Sequence, residues 1–170
     1  MTRRRDPKRR RTRLKAALGS LLFLAVAPGV VAGLVPWWLT GWRSAHAVAP
    51  PVAAAGVALV AVGAGALLHA FARFVAEGLG TPAPVAPTQQ LVVGGLYRYV
   101  RNPMYLAVAA TIVGQAMILG RPGLLVYALA FGVAVGAFVH LYEEPTLARR
   151  YGEQYEAYRR AVPGWWPRRR

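Results

Sequence analysis

Long apolar stretches separated by short polar, glycine-rich or proline-rich breaks dominate the chain. Four of them run from about Leu14 to Leu39, Val48 to Val75, Met104 to Leu119 and Gly123 to Tyr142. About twenty helical residues cross the roughly 30 Å hydrocarbon layer of a bilayer. Each stretch is therefore predicted to span or nearly span a membrane, the third being short for the task. Pro28 predicts a kink in the first span. Gly120-Arg121-Pro122-Gly123 reads as a tight turn, so the last two spans form an antiparallel hairpin. Between Pro145 and Val162 the pattern changes. Leu147, Tyr151, Tyr155, Tyr158 and Val162 form one stripe, with Arg149–Glu153 and Glu156–Arg160 as i,i+4 pairs elsewhere on the surface. That pattern predicts one amphipathic helix lying in the membrane interface or covering a site. The expected fold is all-α: a polytopic membrane protein with about four transmembrane helices plus a C-terminal amphipathic interfacial helix.

Charge orients this arrangement. The 170 residues carry a formal charge of +15 although 56% are hydrophobic and the mean hydropathy is +0.34. With the N-terminus in the cytoplasm, every Lys and Arg except Arg43 and Arg121 falls on the inner side, a strong positive-inside bias. Both termini are thus expected to be cytoplasmic, in a bacterial-type inner membrane. Trp37, Trp38 and Trp42 at the outer end, and Trp165 and Trp166 near the inner surface, suit aromatic belts. The chain divides into a basic arm (1–15), two N-terminal spans (16–76), a region holding a loop, the hairpin and the amphipathic helix (77–167), and a basic tail (168–170). Beside a membrane span the basic arm is explained by anionic lipid rather than by nucleic acid. No cysteine is present, which excludes thiolate nucleophiles and Cys-ligated metals. His46, His69 and His140 match no metal-ligand spacing, so no metal is expected.

The candidate chemistry lies at the inner ends of the spans. Gly95-Leu96-Tyr97-Arg98-Tyr99-Val100-Arg101-Asn102-Pro103-Met104-Tyr105 precedes and opens the third span, and Glu143-Glu144 closes the fourth. In a hairpin the two segments meet at one membrane face, where charges are costly and mark function. Asn102-Pro103 is a helix-start signal, with Asn as N-cap and Pro at the first helical position. The free N–H groups of that turn, with Arg98 and Arg101, suit an anion. Tyr97, Tyr99 and Tyr105 suit a purine or a cation, and Glu143 and Glu144 an ammonium group. His69, Arg73 and Glu77 form an i, i+4, i+8 polar stripe at the inner end of the second span. An uncharged loop with three prolines follows from Gly78 to Gly94, long enough without secondary structure to be functional.

Gly95 to Leu106, Glu-Glu-Pro-x-Leu from Glu143, Tyr-Gly-Glu-Gln-Tyr-Glu-Ala-Tyr from Tyr151 and Val-Pro-Gly-Trp-Trp-Pro from Val162 together resemble the isoprenylcysteine carboxyl methyltransferase and phospholipid methyltransferase superfamily of membrane enzymes. The resemblance covers about residues 77–167. It implies S-adenosylmethionine as methyl donor at the cytoplasmic face and a lipid or other hydrophobic acceptor entering from the bilayer. It implies cofactor binding by Gly95, Tyr97, Arg98, Arg101, Asn102, Pro103, Tyr105, Glu143 and Glu144. Arg73, Glu77, Asn102 and Glu144 are the expected catalytic residues, with Arg73, Glu77 and the loop orienting the acceptor. Asn102 stands where many members of the superfamily have His, and an amide cannot act as a titrating base. Two other readings remain at this level: a membrane reductase of the steroid reductase-like group using NADPH, which would need more span sequence than this chain has, and a small non-enzymatic membrane scaffold.

Overall fold

The computed structural model describes residue 22 and residues 26–73 and 91–167. Among these, the regular structure is entirely helical. The helices are α1 (Val26–Thr40), α2 (Pro50–Arg73), α3 (Pro103–Leu119), α4 (Pro122–Tyr151) and α5 (Glu153–Ala161), with a short 3₁₀ turn at Gly95–Arg98. Two of them, α2 and α4, are long and apolar enough to cross a membrane; α1 and α3 are shorter apolar helices. The basic arm, most of the predicted first span before Val26, Glu77, nearly all of the 78–94 loop and the basic tail lie outside the described residues.

The bundle is organised by α2 against α3. Glycines bring the two backbones together: a Cβ on Gly56 would lie 2.8 Å from the Gly114 carbonyl oxygen, and one on Gly63 2.8 Å from that of Ala107. As α2 advances from Gly56 to Gly63, its partner recedes from Gly114 to Ala107, so the helices are antiparallel. Small residues permit this approach where lipid gives no hydrophobic incentive for helices to associate. Gly120, at φ +59°, closes α3, and α4 starts at Pro122 as the turn signal predicts. Val108, Ile112, Ala116, Leu119 and Leu124 form the core between these helices. Leu125, Val126, Leu129 and Val133 of α4 face outward and are exposed. Apolar surface of that kind marks a membrane or partner contact.

Two helices contain a π-helical turn, each just before a proline. In α1 it covers Val30–Leu34, ahead of Pro36; in α4 it covers Val139–Glu143, ahead of Pro145. The sequence predicts a kink at Pro28; the irregular turn of the first helix lies beyond it, at Val30–Leu34. In α1 the N–H of Val35 bonds back to Val30, and Pro36 has no N–H to offer, so the carbonyls of Val31 and Ala32 lose their helical donors. Neighbouring helices supply them: the Tyr127 hydroxyl donates to Val31 at 2.9 Å and Gln115 Nε2 to Ala32 at 2.6 Å.

The end of the molecule departs from expectation. The fourth apolar helix does not stop at Tyr142 but continues through its π turn to Tyr151. The predicted single amphipathic helix over 145–162 is broken at Gly152 (φ +53°, ψ −129°), a conformation open to glycine. Neither predicted i,i+4 pair forms: Arg149 and Glu153 lie on opposite sides of that break, and Glu156 and Arg160 do not pair within α5. Arg149 donates to Thr146 Oγ1 at 3.1 Å, and Glu156 faces Arg159 at 3.9 Å rather than Arg160.

Candidate active site

The segment before α3 is folded onto the end of α2. Gly95 adopts φ +59°, and a Cβ there would lie 2.6 Å from His69 Nε2 and 3.0 Å from Arg73 Cγ. The sequence stripe His69–Arg73 therefore backs this turn. Val92 and Tyr97 pack on Ala70, burying the Tyr97 ring. Burial, reinforced by Glu143, holds the Tyr97 hydroxyl well above the usual phenol range.

Arg101 and Asn102 come next, and the C-terminal strap after α5 claims both. The Arg101 N–H donates to the Pro163 carbonyl at 2.9 Å. The Asn102 N–H and Nδ2 both donate to that of Gly164 at 3.2 Å. The Asn102 side chain makes no hydrogen bond to the first turn of α3, so the expected N-cap is replaced by a clasp on the strap. The N–H groups of residues 101 and 102 are likewise spent on protein carbonyls rather than left for an anion.

The paired glutamates point to different partners. Glu144 Oε1 lies 2.6 Å from Arg101 Nη2, both side chains being 14% exposed, and its other oxygen is 3.9 Å from Arg159. Arg101 Nη1 reaches the Arg159 carbonyl at 3.3 Å, while its Nε is buried without a partner. Glu143 Oε2 accepts the Tyr105 hydroxyl at 2.9 Å. Among the described residues no Lys, Arg or His lies within ion-pair distance of Glu143.

The far side is closed by α5 and the strap. Tyr158 donates to the Tyr97 carbonyl at 2.7 Å, and the Trp165 ring lies 6.4 Å from that of Tyr105. Tyr155 is fully buried; burial, then the charge of Glu144, pushes its hydroxyl up to about 12. Burial likewise raises Tyr158. Both therefore remain protonated at neutral pH, Tyr158 as a donor to Tyr97.

A half-enclosed cavity of about 230 Å³ opens above these groups. Its lining combines the polar Tyr97, Arg101, Asn102, Tyr105 and Glu143 with the apolar Ala27, Pro28, Val31, Pro103, Met104, Val108 and Phe131. The structure thus assembles six of the sequence-derived site residues around one space, with Glu144 directly behind Arg101. Gly95 and Arg73 meet each other away from the cavity, Arg98 is exposed, and Glu77 is outside the described residues. His140 is exposed and bonds neither glutamate. The strap residues Pro163, Gly164 and Trp165, with Tyr158 and Arg159, were not among the expected site residues. The signals for them were the Val-Pro-Gly-Trp-Trp-Pro segment, whose tryptophans read as belt anchors, and the amphipathic stretch through Tyr158, read as lying in the interface or covering a site.

Two opposite charges, paired carboxylates and clustered tyrosines at the mouth of an apolar cavity suit a cationic group presented to a hydrophobic molecule. The family described as phospholipid methyltransferase matches residues 52–154, more than half of the chain. The chain belongs to the phospholipid methyltransferase family. Membership makes the protein a membrane-associated methyltransferase, in agreement with its two membrane-length helices. The match runs from α2 to the start of α5, so the two motif segments fall inside it, while α1 and the strap fall outside. It gives no support to a reductase or a scaffold. No curated protein and no solved structure matches the chain.

Proposed function

We propose that this phospholipid methyltransferase family member uses S-adenosylmethionine to methylate an amine of a lipid or similarly hydrophobic acceptor at the cytoplasmic membrane face. In this reading α1 and α3 cross the membrane beside α2 and α4, with both termini inside. The observation that carries it is Glu143: a carboxylate with no ion-pair partner among the described residues, fixed by Tyr105, in the lining of an apolar cavity. S-adenosylmethionine would supply a methyl group activated on a cationic sulfur.

Glu143 and the tyrosines Tyr97 and Tyr105 fit that group, because aromatic faces and an unpaired carboxylate both favour a cation. When an amine is methylated, positive charge passes to nitrogen as the sulfur–carbon bonding pair returns to sulfur. Glu143 stays complementary to the charge on either side of the transfer, and Tyr105 keeps it from turning away. Asn102 cannot take up the proton that a lipid ammonium sheds before its nitrogen lone pair attacks, so in this reading that proton leaves to water at the membrane face. Arg101 is occupied by Glu144 and the strap and serves to hold the floor rigid. Alignment of donor and acceptor is the main contribution a protein makes to such an in-line transfer. At about 230 Å³ the cavity is smaller than the ~300–1,000 Å³ of most small-molecule sites, so it suits the reacting ends of the two molecules rather than their whole length.

The test is titration of S-adenosylhomocysteine into the detergent-purified chain, with Glu143→Gln alongside. Binding by wild type that weakens at least tenfold in Glu143→Gln, or about 1.4 kcal/mol, is the expected result. Well-folded wild type that binds nothing would remove the cofactor assignment. Transfer of a labelled methyl group to phosphatidylethanolamine in mixed micelles then tests the acceptor.

A further inference from the structure

One side of the cavity's apolar wall, Ala27, Pro28 and Val31, is built by α1, which lies outside the family match. Val31 is its pivot: its side chain lines the cavity and its carbonyl takes the Tyr127 hydroxyl, while the next carbonyl, of Ala32, takes Gln115 Nε2. Val30, Leu34, Trp37, Trp38 and Leu39 of the same helix are exposed. In lipid these side chains gain no hydrophobic energy from docking. Two carbonyls without helical donors do gain, because no water is at hand to satisfy them. Gln115 carries a cost that makes the point: its Oε1 is buried with no partner. Leucine would fill that position without an orphaned oxygen. That cost is offset by what the other end does: Nε2 satisfies the Ala32 carbonyl.

We propose that Gln115 and Tyr127 are positioning residues for the acceptor: by holding the bare carbonyls of α1 they fix the wall against which the acceptor's apolar part lies. The proposal rests on the methyltransferase reading above for what occupies the cavity, but its mechanical half stands on the two hydrogen bonds alone. Neither residue hydrogen-bonds Glu143 or Tyr105. Loss of either donor therefore loosens the grip on the acceptor and leaves the cofactor end unchanged.

The chain has no cysteine, so nitroxide labels can be placed without background. Leu34→Cys on α1 and Val133→Cys on α4 are both exposed and outside the cavity lining. The distance distribution between them is measured by pulsed electron paramagnetic resonance on the full chain in phosphatidylcholine nanodiscs. A control pair joins Val133→Cys to Val62→Cys, which is exposed on α2. Tyr127→Phe and Gln115→Leu should each shift the α1–α4 distribution or at least double its width, and leave the control pair unmoved. Unchanged α1–α4 distributions in both variants overturn the proposal, whatever the enzyme does. In the methylation assay both variants should raise the KM for phosphatidylethanolamine severalfold and change kcat, and the KM for S-adenosylmethionine, less than twofold. A fall in kcat with the lipid KM unchanged also overturns it. Wild type that methylates no phosphatidylethanolamine would sink the acceptor reading and leave the distance measurement to decide the role of the two residues.

Discussion

The two π turns use one backbone device for two purposes. Each precedes a proline, and each strips two carbonyls of their helical donors. In α1 those carbonyls are answered by Tyr127 and Gln115 from other helices. In α4 the corresponding carbonyls, of His140 and Leu141, receive no described side chain, and both residues are exposed. What the second turn controls is its side chains: Glu143 goes to Tyr105 while its neighbour Glu144 goes to Arg101. A π turn among apolar side chains becomes a docking point because its polar groups must be met by protein. One that ends in charged residues can spend its geometry on aiming them, in keeping with the frequency of π turns at functional sites.

The largest test of this contrast removes a charge. Glu144→Ala leaves Arg101 half of a buried pair, and should lower stability by about 3 kcal/mol in thermal unfolding in detergent. Arg101→Met combined with Glu144→Leu should recover most of that loss, because the charges are removed together. Straightening the second turn comes next. Pro145→Ala restores an N–H for the Leu141 carbonyl, relaxes the π turn and rotates Glu143 off Tyr105. S-adenosylhomocysteine should then bind roughly tenfold more weakly, about 1.4 kcal/mol by calorimetry, with unfolding temperature little changed. The first turn should respond more mildly: Gln115→Leu strands the Ala32 carbonyl but removes an orphaned oxygen, for a net loss of about 0.6 kcal/mol. The smallest effect belongs to Tyr158→Phe, which removes one hydrogen bond to the Tyr97 carbonyl. It should cost about 0.5 to 1 kcal/mol and appear as faster amide exchange near residue 97.

Much of the helical framework was legible in the chain. Pro103 and Gly120 bound α3 and Pro122 opens α4, because these residues act through local backbone geometry. The meeting of Arg101 and Tyr105 with the paired glutamates followed from hairpin topology. The π turns were not legible, since a single extra residue in a helical turn leaves no trace in an apolar run without clear periodicity. Nor was the break at Gly152: Tyr151, Tyr155 and Tyr158 keep helical spacing across it, and the change of direction lies in one φ/ψ pair. Asn102 read as a cap because its type and position permit one; the carbonyl that draws its amide away lies at residue 164, beyond any local signal.

The clasp of Arg101 and Asn102 on Pro163 and Gly164 also sets an order of assembly during synthesis. Helices α1 to α4 can insert and pack as they emerge, but the polar groups before α3 must wait for acceptors made some sixty residues later. Until the chain has grown through Trp165 the floor of the site stays open, so a ribosome stalled earlier leaves a bundle with no finished site.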